Sequence, residues 1–274
     1  MKFLTKLFII TVLPTLAQNI KMSGMYFQWG YNEEWYTKSN LHFRMSNGNN
    51  FVVHNVKAHQ RTNFSSIFTS PKDITVPQYN VRIGLYLNEQ RTAGIEINYD
   101  HTKYVVSDYQ TAHVTGQIDG KAVDSMVVMD PKTFLHFEHT DGANFVHLNY
   151  FKQYVLKKSK VTQRPLFTYI WKAGAGVNVP KTDFTWRGDR YNNQFHIAGY
   201  NISAETGARA YVFKKLFFEG TVKSGYVRYM NALVNTETSK GNRASHGFGY
   251  FEVIATLGYQ IHFNKDKNKE STQQ

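Results

Sequence analysis

The stretch "FEVIATLGYQIHF", Phe251 to Phe263, decides the fold class. Phe251, Val253, Ala255, Leu257, Tyr259, Ile261 and Phe263 are apolar or aromatic, and Glu252, Thr256, Gly258, Gln260 and His262 stand between them. Alternation with period two marks a strand whose two faces meet different media. The pattern recurs upstream. In "QYNVRIGLYLNEQ", Tyr79, Val81, Ile83, Leu85 and Leu87 oppose Asn80, Arg82 and Gly84. After a tight turn at 88–91, Ala93, Ile95, Ile97 and Tyr99 oppose Glu96, Asn98 and Asp100, so the two runs read as a hairpin. In "NFVHLNYFKQYVL" the phase is mixed, with Phe145 and Phe151 joining the polar side.

Run length separates the alternatives. Strands of soluble domains span about 5–6 residues, whereas a bilayer-crossing strand needs about 9–11. The segment 195–213 keeps one phase throughout. Short turns near 47–50, 88–91, 157–165 and 214–215 alternate with long segments near 60–77, 108–141, 179–194 and 232–246, the rhythm of a membrane barrel with short inner turns and long outer loops. The expected fold is all-β: a single antiparallel up-and-down transmembrane β-barrel. It has about ten strands (24–32, 38–46, 51–59, 78–88, 92–107, 142–156, 166–178, 195–213, 216–231 and 247–263), with eight as the alternative.

The N-terminal "MKFLTKLFIITVLPTLAQN" has Lys2 and Lys6, an apolar run from Leu7 to Leu16, and Thr15 and Ala17 at the −3 and −1 positions of a cut. This is the layout of a secretory signal. The expected organisation is a cleaved signal over 1–17, a barrel over 18–263 and a disordered polar tail over 264–274.

Composition narrows the function. The chain has 274 residues, no Cys, 18 Tyr, 20 Phe and a formal net charge of +12. Absence of Cys excludes disulfides, Cys metal sites, Cys nucleophiles and cysteine lipidation. The basic residues are dispersed apart from "KKSK" at 157–160, which argues against a nucleic-acid face. Trp29, Tyr31, Trp35 and Tyr36 read as an interfacial aromatic girdle.

The signal segment, the alternating strands and the terminal "ATLGYQIHF" resemble the small outer-membrane β-barrels of Gram-negative bacteria, the OmpA/OmpW-like superfamily. The segments "WGYNEEWYTKSNLHF" (29–43) and "FEHTDGANF" (137–145) resemble an outer-membrane barrel group of the Bacteroidota type. The resemblance implies a bacterial outer-membrane location. It also implies that Tyr259, Ile261 and Phe263 act as a signal for the barrel assembly machinery, although the chain continues past Phe263 where that superfamily usually stops.

If the apolar face meets lipid, the lumen carries Arg82, Glu96, Asp100, Lys172, Glu205, Arg209, Glu219, Lys223 and Glu252. Opposite charges in a narrow interior pair, because a lone buried charge is costly, so a salt-bridge plug is expected; a narrow channel or a small-ligand pocket is the alternative. Candidates for chemistry are His139, Asp141, Ser245 and His246. Adjacent Ser245 and His246 would point to opposite faces of a strand. The His-x-Ser spacing that resembles lipid A deacylase barrels is absent at both His139 and His246. The functional expectation is a non-enzymatic integral outer-membrane barrel with a structural, adhesion or narrow-pore role, without cofactor or metal. A barrel enzyme acting on lipid A or phospholipid is the first alternative, and a soluble secreted barrel binding a small apolar ligand the second. Expected partners are outer-membrane lipid and lipopolysaccharide, the latter meeting Lys181, Arg187, Arg190, Lys240 and Arg243 in outer loops.

Overall fold

The computed structural model describes residues 21–61, 65, 78–139 and 141–263; the expected signal 1–17 and tail 264–274 lie outside the described residues. With strands numbered along the chain, eight close a ring: β1 (Gly24–Tyr36), β5 (Tyr79–Tyr86), β6 (Ala93–His101), β11 (Phe145–Lys158), β12 (Pro165–Asn178), β15 (Gly199–Tyr211), β16 (Leu216–Leu233) and β17 (Arg243–His262). Every pair is antiparallel, and β1 seals the ring against β17 from Gly24↔His262 to Tyr36↔Tyr250.

Among the described residues, nine further strands stand above the ring: β2 (Ser39–Met45), β3 (Asn49–Val56), β4 (Ala58–His59), β7 (Tyr104–Val106), β8 (Thr111–Ile118), β9 (Lys121–Val128), β10 (Leu135–His139), β13 (Asp183–Trp186) and β14 (Asp189–Asn192). The turns at 87–92, 159–164 and 212–215 and both described chain ends gather at the lower rim; all longer connections rise from the upper one.

Eight strands enclose an interior just wide enough for side chains to fill. Pleating puts alternate residues on opposite sides of the wall. The even positions of β1 and β17, among them Tyr26, Gln28, Asn32, Glu34, Glu252, Thr256 and Gln260, are buried inside. The odd ones, Phe27, Trp29, Trp35, Phe251, Leu257, Tyr259 and Ile261, are exposed outside. Gly84 leaves room inside: a Cβ there would collide with the Tyr26 ring.

Three expectations are corrected. The ring has eight strands, the alternative count, because 38–46 and 51–59 form β2 and β3 outside the wall. With them, the 47–50 connection belongs to the upper side, not the lower rim. The 195–213 run yields a strand only from Gly199 to Tyr211, and Ala198, within the run, is buried with the core above the barrel.

At the upper rim β1 ends, Thr37 ties the backbone to Gly249 (Thr37 N to Gly249 O, 2.9 Å), and β2 takes β1's place beside β17 at Ser245↔His42. From there the sheet runs on through β3, β8 and β9. A second sheet, ordered β14-β13-β10-β7-β4, accompanies it. Their shared core contains Leu41, Phe43, Phe51, Val53, Phe137 and Phe184. Its rings interlock: Phe43 lies 5.6 Å from Phe137, edge-on, and Phe51 5.6 Å from Trp186, stacked. The long connections thus build a β-sandwich whose apolar faces meet each other.

Candidate functional site

The lumen is layered along its axis. At the bottom, Tyr26, Tyr86, Phe151, Ile170, Tyr211 and Phe217 form a buried apolar cluster. Phe151 and Phe217 share the inward face with polar residues, which is why the phase looked mixed at Phe151. The Arg209 guanidinium caps this floor, its Cζ 4.1 Å from the Phe217 ring centre and 4.5 Å from that of Tyr26. Such cation–π stacking gains strength away from water.

The ionic layer lies above the floor. Arg209 Nη2 is 2.7 Å from Glu219 Oε2, and Lys172 Nζ reaches Glu219 Oε1 at 2.8 Å, Glu96 Oε2 at 2.9 Å and Glu205 Oε1 at 3.4 Å. Arg82 Nη1 closes on Glu205 Oε1 at 2.6 Å. Tyr26 donates its hydroxyl to Glu96 (2.6 Å), joining floor to network. Higher up, Lys223 pairs with Asp100 and, at 3.3 Å, with Glu252, which also accepts from Asn32 (2.7 Å). The structure places all nine residues read as lumenal inside the barrel, each buried and each in an ion pair.

The upper mouth is closed too. Tyr104 stacks on Phe248 (4.3 Å), Phe145 packs on Tyr250 (5.4 Å), and Tyr229 stacks on His246 (4.7 Å) while its hydroxyl donates to the Ala143 carbonyl (2.8 Å). Sequence reasoning missed Glu34, which is buried at this end beside Tyr36 (2.5 Å). The girdle reading holds geometrically for Trp29, Tyr31 and Trp35, which face outward, but is corrected for Tyr36. Its hydroxyl lies 2.9 Å from the Lys103 carbonyl, inside, because it shares the parity of Asn32 and Glu34. That parity was visible in "YFQWGYNEEWY".

The four candidates for chemistry separate. His139 and His246 meet, Nε2 to Nε2 at 3.1 Å, with Thr182 Oγ1 3.1 Å from His139 Nδ1. Ser245 lies on the opposite face of β17 from His246 and pairs across to β2. Asp141 is exposed and bound to Lys181 at 2.5 Å. Both imidazoles are fully buried. Burial pushes His139 down to about 3, and burial, reinforced by His139 and Arg228, holds His246 well below its ordinary value. The pair therefore carries one shared N–H between its Nε2 atoms, with neither ring charged.

This has a pH consequence. His139 is depressed when folded and titrates near 6.5 when unfolded, so the unfolded chain binds the extra proton. The contribution is fully present above about 6.5 and is lost as pH falls toward 3. The sandwich should become protease-sensitive and its Trp186 emission should shift between pH 7 and pH 4. Equal protection at both values would exclude the histidine pair as the cause.

The outer surface of the wall settles the medium. Ile97 is 58% exposed, Leu148 58%, Ile202 52% and Phe218 54%, within a belt that continues around the ring through Ile83, Ile95, Val222 and Leu257. A soluble protein rarely exposes more than a few hundred Å² of continuous apolar surface. Polar residues fill the inside, the reverse of a barrel that carries an apolar ligand in water. This is a membrane-spanning β-barrel. No family model and no curated protein sequence matches the chain. Among solved structures, the barrel is similar to OprG of Pseudomonas aeruginosa (TM-score 0.40, 10% identity, 90% of this chain and 99% of that one). It is similar also to neisserial surface protein A (0.39, 9%, 86% and 97%) and to the outer-membrane protease OmpT of Escherichia coli (0.36, 8%, 89% and 97%).

Proposed function

We propose that the chain is a non-enzymatic integral outer-membrane protein in which a sealed barrel anchors an externally displayed β-sandwich, and that the sandwich does the work as an adhesion or binding surface. The observation that carries this reading is closure of the lumen at three levels: the aromatic floor, the salt-bridge layer around Lys172 and the aromatic lid around Phe248. Single-channel recording in a planar bilayer is the test. The refolded protein should give no conductance steps, and a double variant Tyr26→Ala, Phe217→Ala should not open a pore while the ionic layer persists. Regular steps from the wild type would sink the anchor reading and restore the narrow-pore one.

Exposure of Tyr259 and Ile261 on the last wall strand, and of Phe263 directly after it, supports a role in recognition by the barrel assembly machinery. Lipopolysaccharide contact finds less support at the named cations. Lys181 pairs with Asp141, Arg187 with Asp119 at 2.6 Å, and Arg190 Nε with Asp183 at 2.8 Å, which leaves Lys240 and Arg243 as the stronger candidates of that set. The enzyme alternative lacks convergence of its candidate residues, since the two histidines are sealed beneath the sandwich and away from the lipid boundary.

A further inference from the structure

The lower rim carries a charge pattern that neither anchoring nor display uses. Three turns and the end of β17 surround the lower mouth of the lumen. Arg91 comes from the β5–β6 turn, Lys158 from the end of β11, Arg164 from the β11–β12 turn, Lys214 from the β15–β16 turn and His262 from β17; all five line one recess of about 490 Å³. Among the described residues, none of the four Lys and Arg side chains joins an ion pair. On the upper side, by contrast, Arg61, Lys181, Arg187 and Arg190 each have a carboxylate.

Four cations without an ion pair among the described residues, placed around one recess, repel each other and raise the local potential, which an anion relieves. The backbone that carries two of them is tied from inside: Gln153 donates to the Arg91 carbonyl, and Gln260 Nε2 to the Lys214 carbonyl at 3.3 Å. The Nε2 of His262, also on the recess, is buried with no partner among the described residues. Val155, Pro165 and Tyr211 supply apolar wall. The volume falls in the small-molecule range of roughly 300–1,000 Å³. Arginine forks match phosphate oxygens two at a time, and the apolar wall suits a carbon skeleton better than a bare ion.

We propose that this recess binds the phosphate group of a small phosphorylated organic molecule, entering from the aqueous side of the lower rim. A phospholipid headgroup from the adjoining leaflet presents the same chemistry, and the experiment separates the two sources. The full chain, refolded in zwitterionic detergent at low salt, is titrated with glycerol 3-phosphate by calorimetry. The expected result is saturable binding that weakens at least about tenfold in Arg91→Gln, Arg164→Gln and is unchanged in Lys57→Gln, Lys121→Gln, which removes equal charge from the sandwich. Heat-shifted mobility on gels verifies that each variant is folded. A second arm compares unfolding midpoints in nanodiscs of phosphatidylethanolamine with and without phosphatidylglycerol. If glycerol 3-phosphate does not bind but phosphatidylglycerol raises the midpoint of the wild type and not of the Arg91, Arg164 variant, the site stands and the source is the lipid. Absence of a saturable response in both arms, or equal weakening in the two variants, overturns the proposal.

Discussion

Replacing Lys172 by methionine should lower the stability of the folded barrel by about 3–5 kcal/mol, the usual cost of removing one partner from a buried ion pair. The ammonium stands 2.8 Å from Glu219, 2.9 Å from Glu96 and 3.4 Å from Glu205. Its loss leaves three buried carboxylates sharing Arg82 and Arg209, and methionine fills the volume without supplying charge. The sign of the follow-up is opposite. Adding Glu96→Gln to Lys172→Met removes the carboxylate that relies most on the ammonium, so a large share of the stability should return. Denaturant midpoints in detergent read both steps. If Lys172→Met unfolds at the wild-type midpoint, the layer is a solvated network and not a seal.

Phe137→Ala should cost about 3–5 kcal/mol, this time in the sandwich. Phe137 is fully buried, 5.6 Å from Phe43 and 5.4 Å from His246, so truncation leaves a cavity that neighbouring rings can close only in part. Limited proteolysis should cut the variant within residues 102–144, while its barrel keeps the heat-shifted mobility of a closed ring. Simultaneous loss of both would show that wall and sandwich unfold as one unit, through the strands they share.

The wall was legible in the sequence because its signal is long and uniform. Most of the eight ring strands fall on segments whose alternation can be read from side chains alone, as at Tyr79 to Leu87; in β11 the inward Phe145 and Phe151 blur it. What misled was a matching period with another meaning. Leu41 and Phe43 alternate with Asn40, His42 and Arg44 just as wall residues do, but periodicity reports two unlike faces without naming the medium on either side. The pairs Leu41↔Val53 and Phe43↔Phe51 share one apolar face, as a wall hairpin would, and in the fold that face meets Phe137 and Phe184 instead of lipid. The strands β8 and β9 went unread inside 108–141 although they form a local hairpin through Asp119-Gly120, Ile118↔Lys121, a turn the sequence does signal; what leaves no local trace is the joining of that hairpin to β3, as at Val53↔Val114.

The site was legible by charge and not by shape. Arg82, Lys172 and Glu219 stood out as charged residues on alternating faces. The floor did not, because Tyr26, Phe151 and Phe217 look like lipid-facing aromatics until parity places them inside. Meeting of His139 and His246, 107 positions apart in the chain, was likewise beyond local pattern.

The strands β16 and β17 run for 18 and 20 residues from the lower rim into the upper sheet without a linker. A load pulling on the sandwich is therefore not taken up by a hinge. It passes along a ladder whose one register shift falls between Tyr229 and Ala232, and below that bulge many hydrogen bonds share the strain in shear before any one must open. The protein is in this sense a mast stepped through the membrane, and force applied at its head is met by the stiffness of the wall.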